Sequence, residues 1–165
     1  MTSQLPIDKA RVLEALRRHI EQDLAVATDA QRRTQSGATH EENKPENDKD
    51  TRAIEQSYLA RGQAQRVVEL NHDLATANAL EPRVFGADTP IAVTACVGLD
   101  DGERTAFFFL APVGGGLTLE VDGTPVRVLT PASPLGRALL GQTLDSDVEV
   151  STPQGSRSYS VVSVV

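Results

Sequence analysis

Five carboxylates, from Glu41, Glu42, Glu46, Asp48 and Asp50, crowd into the stretch "HEENKPENDKD" at residues 40–50, beside two lysines and a proline. Acids at that density can present oxygen ligands to a hard cation such as Mg²⁺, which is typically held by one or two carboxylates and keeps several waters. They can equally form a solvated turn, the ordinary fate of a charge run. Asn43 and Glu46 stand at the spacing of a helix-capping pair, in which the amide caps and the carboxylate three residues on reaches back. Glu42 lies four residues before Glu46, but Pro45 interrupts a helical relation between them.

Other chemistry-bearing residues are less well placed. His40 beside Glu41 and Glu42 lacks a second histidine one turn away, and His19 and His72 have no acidic or cysteine partner at ligand spacing, so surface positions suffice for all three. Gly114-Gly115-Gly116 is followed neither by a helix start nor by a lysine, which makes it a flexible connection rather than a phosphate cradle. Cys96 is the one cysteine. It permits no internal disulfide, and its apolar neighbours predict a buried strand thiol.

The elements flanking the acids are helical in pattern. From Ile7 to about Gln35 there is no Gly or Pro, and Leu13, Leu16, Ile20, Leu24 and Ala27 recur at spacings of three and four. Pro6 suits the start of this helix and Gly37 its C-cap. A second helix is predicted from Thr51 to about Ala79, with a stripe through Ile54, Tyr58, Val67, Leu70 and Leu74. Each stripe is too narrow to fold alone, so the two helices are expected to pair as an antiparallel coiled-coil hairpin, with residues 37–50 as an acidic tip at the far end.

After Glu81-Pro82 the apolar period changes from about 3.5 to 2. "TPIAVTACVGL", "RTAFFFLAP", "GLTLEV", "TPVRVLT", "DVEVSTP" and "SYSVVSVV" read as strands of a mostly antiparallel sheet, with Asp122-Gly123 and Gln154-Gly155 as turns. "SPLGRALLG" stands apart as one short helix, capped by Ser133, opened by Pro134, with Leu135, Leu139 and Leu140 inward and Gly141 at its end. The fold class expected is α+β, with a boundary near 80/81. All four phenylalanines and one of the two tyrosines follow residue 80, so the compact core belongs to the C-terminal domain.

Net charge narrows the partners. The chain carries −7, with −3 in residues 41–50 and −5 in residues 81–165, and it lacks the clustered Lys and Arg of a phosphate-neutralising surface, so direct sequence-specific nucleic-acid binding is not expected. No stretch has the apolar length of a membrane span. A cytoplasmic location without membrane contact is expected.

Ser133, Pro134, Leu135, Arg137, Leu139, Leu140 and Gly141 together resemble the C-terminal signature of the bacterial GreA/GreB transcript-cleavage factors, where Ser-Pro-aliphatic-x-Arg-x-Leu-aliphatic-Gly lies between strands of an FKBP-like domain. "DSDVEVSTPQGSRSYSVVSV" is similar to the same family's acidic turn, Val-rich strand, Pro-x-Gly turn and closing strand. Gln142 departs from it, standing where the family usually has a basic residue. At the tip, Glu46-Asn47, Ala53, Glu55 and Gly62 fall at family offsets, while Asn43 stands in place of an aspartate.

The resemblance implies a hairpin over residues 1–80 and an FKBP-like polymerase-binding domain over 81–165. It implies a monomeric transcription elongation factor that binds RNA polymerase through Ser133, Pro134, Leu135 and Arg137 and places its tip in the polymerase secondary channel. There Glu46 first, then Glu42, with Asn43 at the variant position, would help the polymerase cleave backtracked RNA. The factor would be no enzyme itself and would have no cofactor of its own, only a Mg²⁺ shared with the polymerase and met by Glu46 and Glu42. Two alternatives stand beside this reading: a channel-binding regulator of the same family without cleavage activity, and an FKBP-like peptide-binding module or prolyl isomerase. Against the isomerase, the chain has no Trp, and Phe107, Phe108 and Phe109 read as strand core with one ring outward rather than a pocket lining.

Overall fold

The computed structural model describes residues 7–41 and 51–165, with the backbone alone for residues 38–41. Helix α1 spans Lys9–Glu41 and helix α2 spans Thr51–Ala79. Asp8 starts α1: its Oδ1 accepts from the Ala10 N–H at 2.9 Å, and its carbonyl accepts the first helical bond, from Val12 N–H at 3.0 Å. An aspartate cap supplies what Pro6, outside the described residues, was expected to mark. Gly37 does not end the helix, which continues to Glu41. A glycine inside a helix is disfavoured by only about 1 kcal/mol, too little to stop a long helix without a following left-handed residue.

Two compact units form, one from the chain up to Arg17 together with Thr76–Val165, the other from Arg18–Ala75. The second unit is helical. Among its shielded positions, Ile20, Leu24, Ala27 and Gln31 on α1, and Ala60, Ala64, Val67, Leu70 and Leu74 on α2, follow spacings of three and four. Ile20 and Leu70 are fully buried, whereas Ile54 and Tyr58 are 58% and 67% exposed. The expected α2 stripe therefore divides. At about 100° per residue, Ile54 and Tyr58 lie about 140° and 180° around the helix from Val67, so they belong to the outer face.

The first unit holds a six-stranded sheet of β1 (Cys96–Asp100), β2 (Thr105–Leu110), β3 (Thr118–Val121), β4 (Thr124–Leu129), β5 (Asp147–Thr152) and β6 (Gly155–Val164), with helix α3 (Pro134–Leu139) between β4 and β5. Strand order is β3-β4-β2-β1-β6-β5. Only β2 and β4 run parallel; every other neighbouring pair is antiparallel. Asp122 and Gly123, both at positive φ, make the β3–β4 turn, as the Asp-Gly dipeptide predicts. Of "TPIAVTACVGL" only the last part is strand, because Thr94 takes φ +74° and breaks the extended run.

Both faces of the sheet are covered. Val97, Leu99, Phe108, Leu110, Val148 and Val161 pack with Leu139 of α3 and with Phe85 and Ile91. On the other face, register aligns Cys96, Phe109 and Val128, all fully buried. The first turns of α1 meet this face, since a methyl on Gly114 would touch both Leu16 Cδ1 and Val128 Cγ1, at 2.6 and 3.8 Å. Val12, Leu13 and Leu16 are buried accordingly. The triglycine is thus a packed connection rather than a loose one, and the first two turns of α1 group with the sheet instead of dividing from it at 80/81. No described helix is long and apolar enough to cross a membrane.

Candidate functional site

The short helix α3 is built as its sequence suggests, with one addition. Ser133 Oγ accepts from Gly136 N–H at 3.0 Å and donates to the Thr130 carbonyl at 2.7 Å, so one hydroxyl fixes both the helix start and the preceding turn. Pro134 occupies the first turn. The first helical bond runs from Arg137 N–H to the Ser133 carbonyl, 2.9 Å. Gly136 is what permits this closeness: a methyl there would collide with the Thr130 carbonyl oxygen and sit 2.8 Å from Ser133 Oγ. Sequence reading passed over Gly136 as a variable position. A glycine inside a six-residue helix is costly unless a close approach demands it, and that was the available signal.

At the other end, Leu140 N–H donates to the Gly136 carbonyl at 3.1 Å, and Gly141 follows at φ +82°, its N–H bonded to the Ile91 carbonyl at 2.9 Å. Gln142 returns a bond by accepting from Ile91 N–H at 2.8 Å. Leu139 is fully buried and Leu135 partly so, whereas Leu140 is 36% exposed and so does not point inward as expected. Arg137 is exposed. Both ends of α3 are tied to the domain, so Arg137 and Leu140 sit on a rigid mount. A guanidinium beside exposed aliphatic surface is the composition of a protein contact.

Glu42, Asn43 and Glu46 lie outside the described residues, as do Asn47, Asp48 and Asp50. The described helices end at Glu41 and begin again at Thr51. Ala53, Glu55 and Gly62, the other positions at family offsets, lie exposed on α2. A methyl on Gly62 would meet nothing within 4 Å, and nothing in the structure explains that glycine.

Among the described residues, no group of three His, Cys, Asp or Glu could hold a metal ion. His19 does have an acidic neighbour, Asp23 one turn along, with Nε2 and Oδ2 3.7 Å apart on an exposed surface. Cys96 is fully buried, and burial pushes its thiol up to about 12. Burial, with the Arg83 charge adding to it, lowers the Lys9 amine, which lies over the Phe85 ring at 4.7 Å.

The described residues define an α+β class of protein, with a helical unit and a mixed-sheet unit whose one short helix is braced at both ends and presents an exposed arginine. Comparison with known proteins narrows this class. Residues 117–165 match the family model for the C-terminal region of transcription elongation factor GreA/GreB. Similar curated proteins include transcription elongation factor GreA of Rickettsia felis, 35% identical over 100 residues, or 60% of this chain and 58% of that one. GreA of Syntrophus aciditrophicus is 27% identical over 122 residues, 72% of this chain and 69% of that one. The chain thus spans a little under three fifths of the Rickettsia relative's length. Among solved structures, GreA factor homolog 1 (Gfh1) of Thermus thermophilus aligns over 92% of this chain and 95% of its own, at 18% identity and a TM-score of 0.37. Residues 117–165 thus resemble the C-terminal region of the GreA/GreB family, and the relatives named above are GreA factors.

Proposed function

We propose that this protein is an RNA polymerase-binding elongation factor that docks by the α3 surface of its sheet domain and delivers the acids of residues 42–50 into the polymerase secondary channel, where they promote cleavage of backtracked RNA. The observation that carries the docking half is the braced α3: Ser133, Pro134 and Gly136 fix the backbone, Leu135 anchors it, and Arg137 is presented outward from within the region that matches the family model. Polymerase, not RNA, is the primary partner, because the C-terminal domain is acidic overall.

At the tip, Glu46 and Glu42 are the residues that would hold a Mg²⁺ shared with the polymerase, and their donor chemistry fits that ion. When bound, such an ion supplies Lewis acidity for phosphodiester hydrolysis. The factor's own part is to bring fixed negative charge and to orient it. Asn43 keeps an oxygen and a capping function but carries no charge. That substitution favours a second reading, a channel-occupying regulator that binds without stimulating cleavage.

A transcript-cleavage assay on stalled polymerase complexes separates the two. Under the first reading, Glu46→Gln abolishes stimulated cleavage and leaves binding intact, and Asn43→Asp raises Mg²⁺-dependent cleavage. If parent and Asn43→Asp both fail to cleave yet both change pausing, the regulator reading replaces it. A parent that neither binds polymerase nor alters elongation ends both.

A further inference from the structure

We infer that residues 81–90 form a strap that opens locally from the sheet unit without general unfolding, and that Lys9 is its latch. Both ends of the strap are fixed. On one side the Arg17 guanidinium donates to the Leu80 carbonyl at 3.0 Å. On the other, fully buried Ile91 exchanges hydrogen bonds with the loop after α3: its N–H donates to the Gln142 carbonyl at 2.8 Å, and its carbonyl accepts from Gly141 N–H at 2.9 Å. Between these ends Phe85 is the one buried residue of the ten, and Val84 beside it is 94% exposed. A segment with a single apolar anchor and a solvated backbone belongs to the low-stability end of a folded protein.

The second half of the strap carries its own turn. Thr89 N–H donates to the Gly86 carbonyl at 3.1 Å, and Gly86 N–H donates to Thr89 Oγ1 at 3.0 Å, so residues 86–89 can move as a piece. Their tie to the body is the Ala87 carbonyl, which accepts from Leu144 N–H at 3.3 Å, a long bond. The firmer ties gather on Arg83 and Phe85. Arg83 N–H donates to Thr94 Oγ1 at 3.1 Å, and the Arg83 carbonyl accepts from Lys9 Nζ. The same Nζ lies 4.7 Å above the centre of the Phe85 ring, with the Arg83 guanidinium 5.3 Å from that ring. One ammonium thus holds the strap backbone by a charge-assisted bond and the strap's anchor by its ring face. Lys9, Arg83, Phe85 and Thr94 all belong to one compact unit.

Amide hydrogen exchange of the full chain, read residue by residue in urea below the unfolding transition, tests both parts. In the parent, Arg83 N–H should exchange at a rate nearly independent of urea, since a local opening exposes little surface. Val128 N–H, bonded to the Leu117 carbonyl within the sheet unit at 2.8 Å, should instead show the steep urea dependence of global unfolding. Lys9→Met keeps an aliphatic stem and removes the donor and its charge. It should speed Arg83 exchange about tenfold or more, and tryptic cleavage of the Arg83–Val84 bond by the same factor, because cleavage follows the population of the open form. Arg11→Ala, which breaks a surface pair with Asp122 in the same unit, should stay within about twofold of the parent. One common urea slope for Arg83 and Val128 in the parent overturns the strap. Parental exchange at Arg83 in Lys9→Met, or an equal rise in Arg11→Ala, overturns the latch. Should Lys9→Met fail to fold, Lys9→Gln, which is neutral and shorter, decides by the same two readings.

Discussion

A single side chain on α3 is asked to carry much of the proposed docking, and its exposure makes that testable without disturbing the fold. Arg137→Ala should weaken polymerase binding by roughly 2 kcal/mol or more, the scale of an interface hot spot, while the thermal midpoint stays that of the parent. Equal affinity of variant and parent in a direct binding measurement would remove Arg137 from the contact. Cys96 gives a prediction of a different kind. A folded thiol raised to about 12 against an ordinary 9.0 stabilises the protein fully below the unfolded value, and that contribution is lost as pH rises from 9 towards 12. Stability should fall with a slope of up to about 1.4 kcal/mol per pH unit from this group. Cys96→Ala should flatten denaturation midpoints measured across that window. Lys9, lowered by burial, works in the opposite sense and does not mimic the effect.

Among the elements, α3 and α2 differ in how their sequences specify them. In α3 every end is satisfied by a named group, so Ser133→Ala should cost about 1 kcal/mol as a lost cap. Gly136→Ala should cost more, because a methyl meets backbone rather than a side chain that can move. Denaturant midpoints that rank these two in the reverse order would refute the account of the helix start. In α2 the burial of Leu70 against the exposure of Ile54 sets a second ordering. Leu70→Ala should destabilise by about 2–5 kcal/mol, and Ile54→Ala by about 0.5 kcal/mol or less. Similar losses at both positions would mean that the outer face of α2 is covered.

At the scale of the whole molecule, the first turns of α1 complete the sheet unit, since Val12, Leu13 and Leu16 are buried with it and Arg11 pairs with Asp122. A fragment of residues 81–165 should therefore unfold at lower denaturant than the sheet domain does within the full chain. Composition, the change of period at Pro82 and the turn chemistry were enough to determine the order of elements, the α+β class and the capped α3, because each depends on residues close in sequence. The glycine at 136 and the aspartate at 8 were legible in kind, as local close-approach and capping signals. What only the tertiary structure decided concerns partners far apart in the chain: that Ile54 and Tyr58 face away from the seam, that α1 begins as part of the sheet unit, and that Arg17 caps a helix 60 residues on. A period shows which face of a helix is apolar, but which of two faces is covered depends on the element that arrives there. Long-range polar contacts leave no periodicity to read.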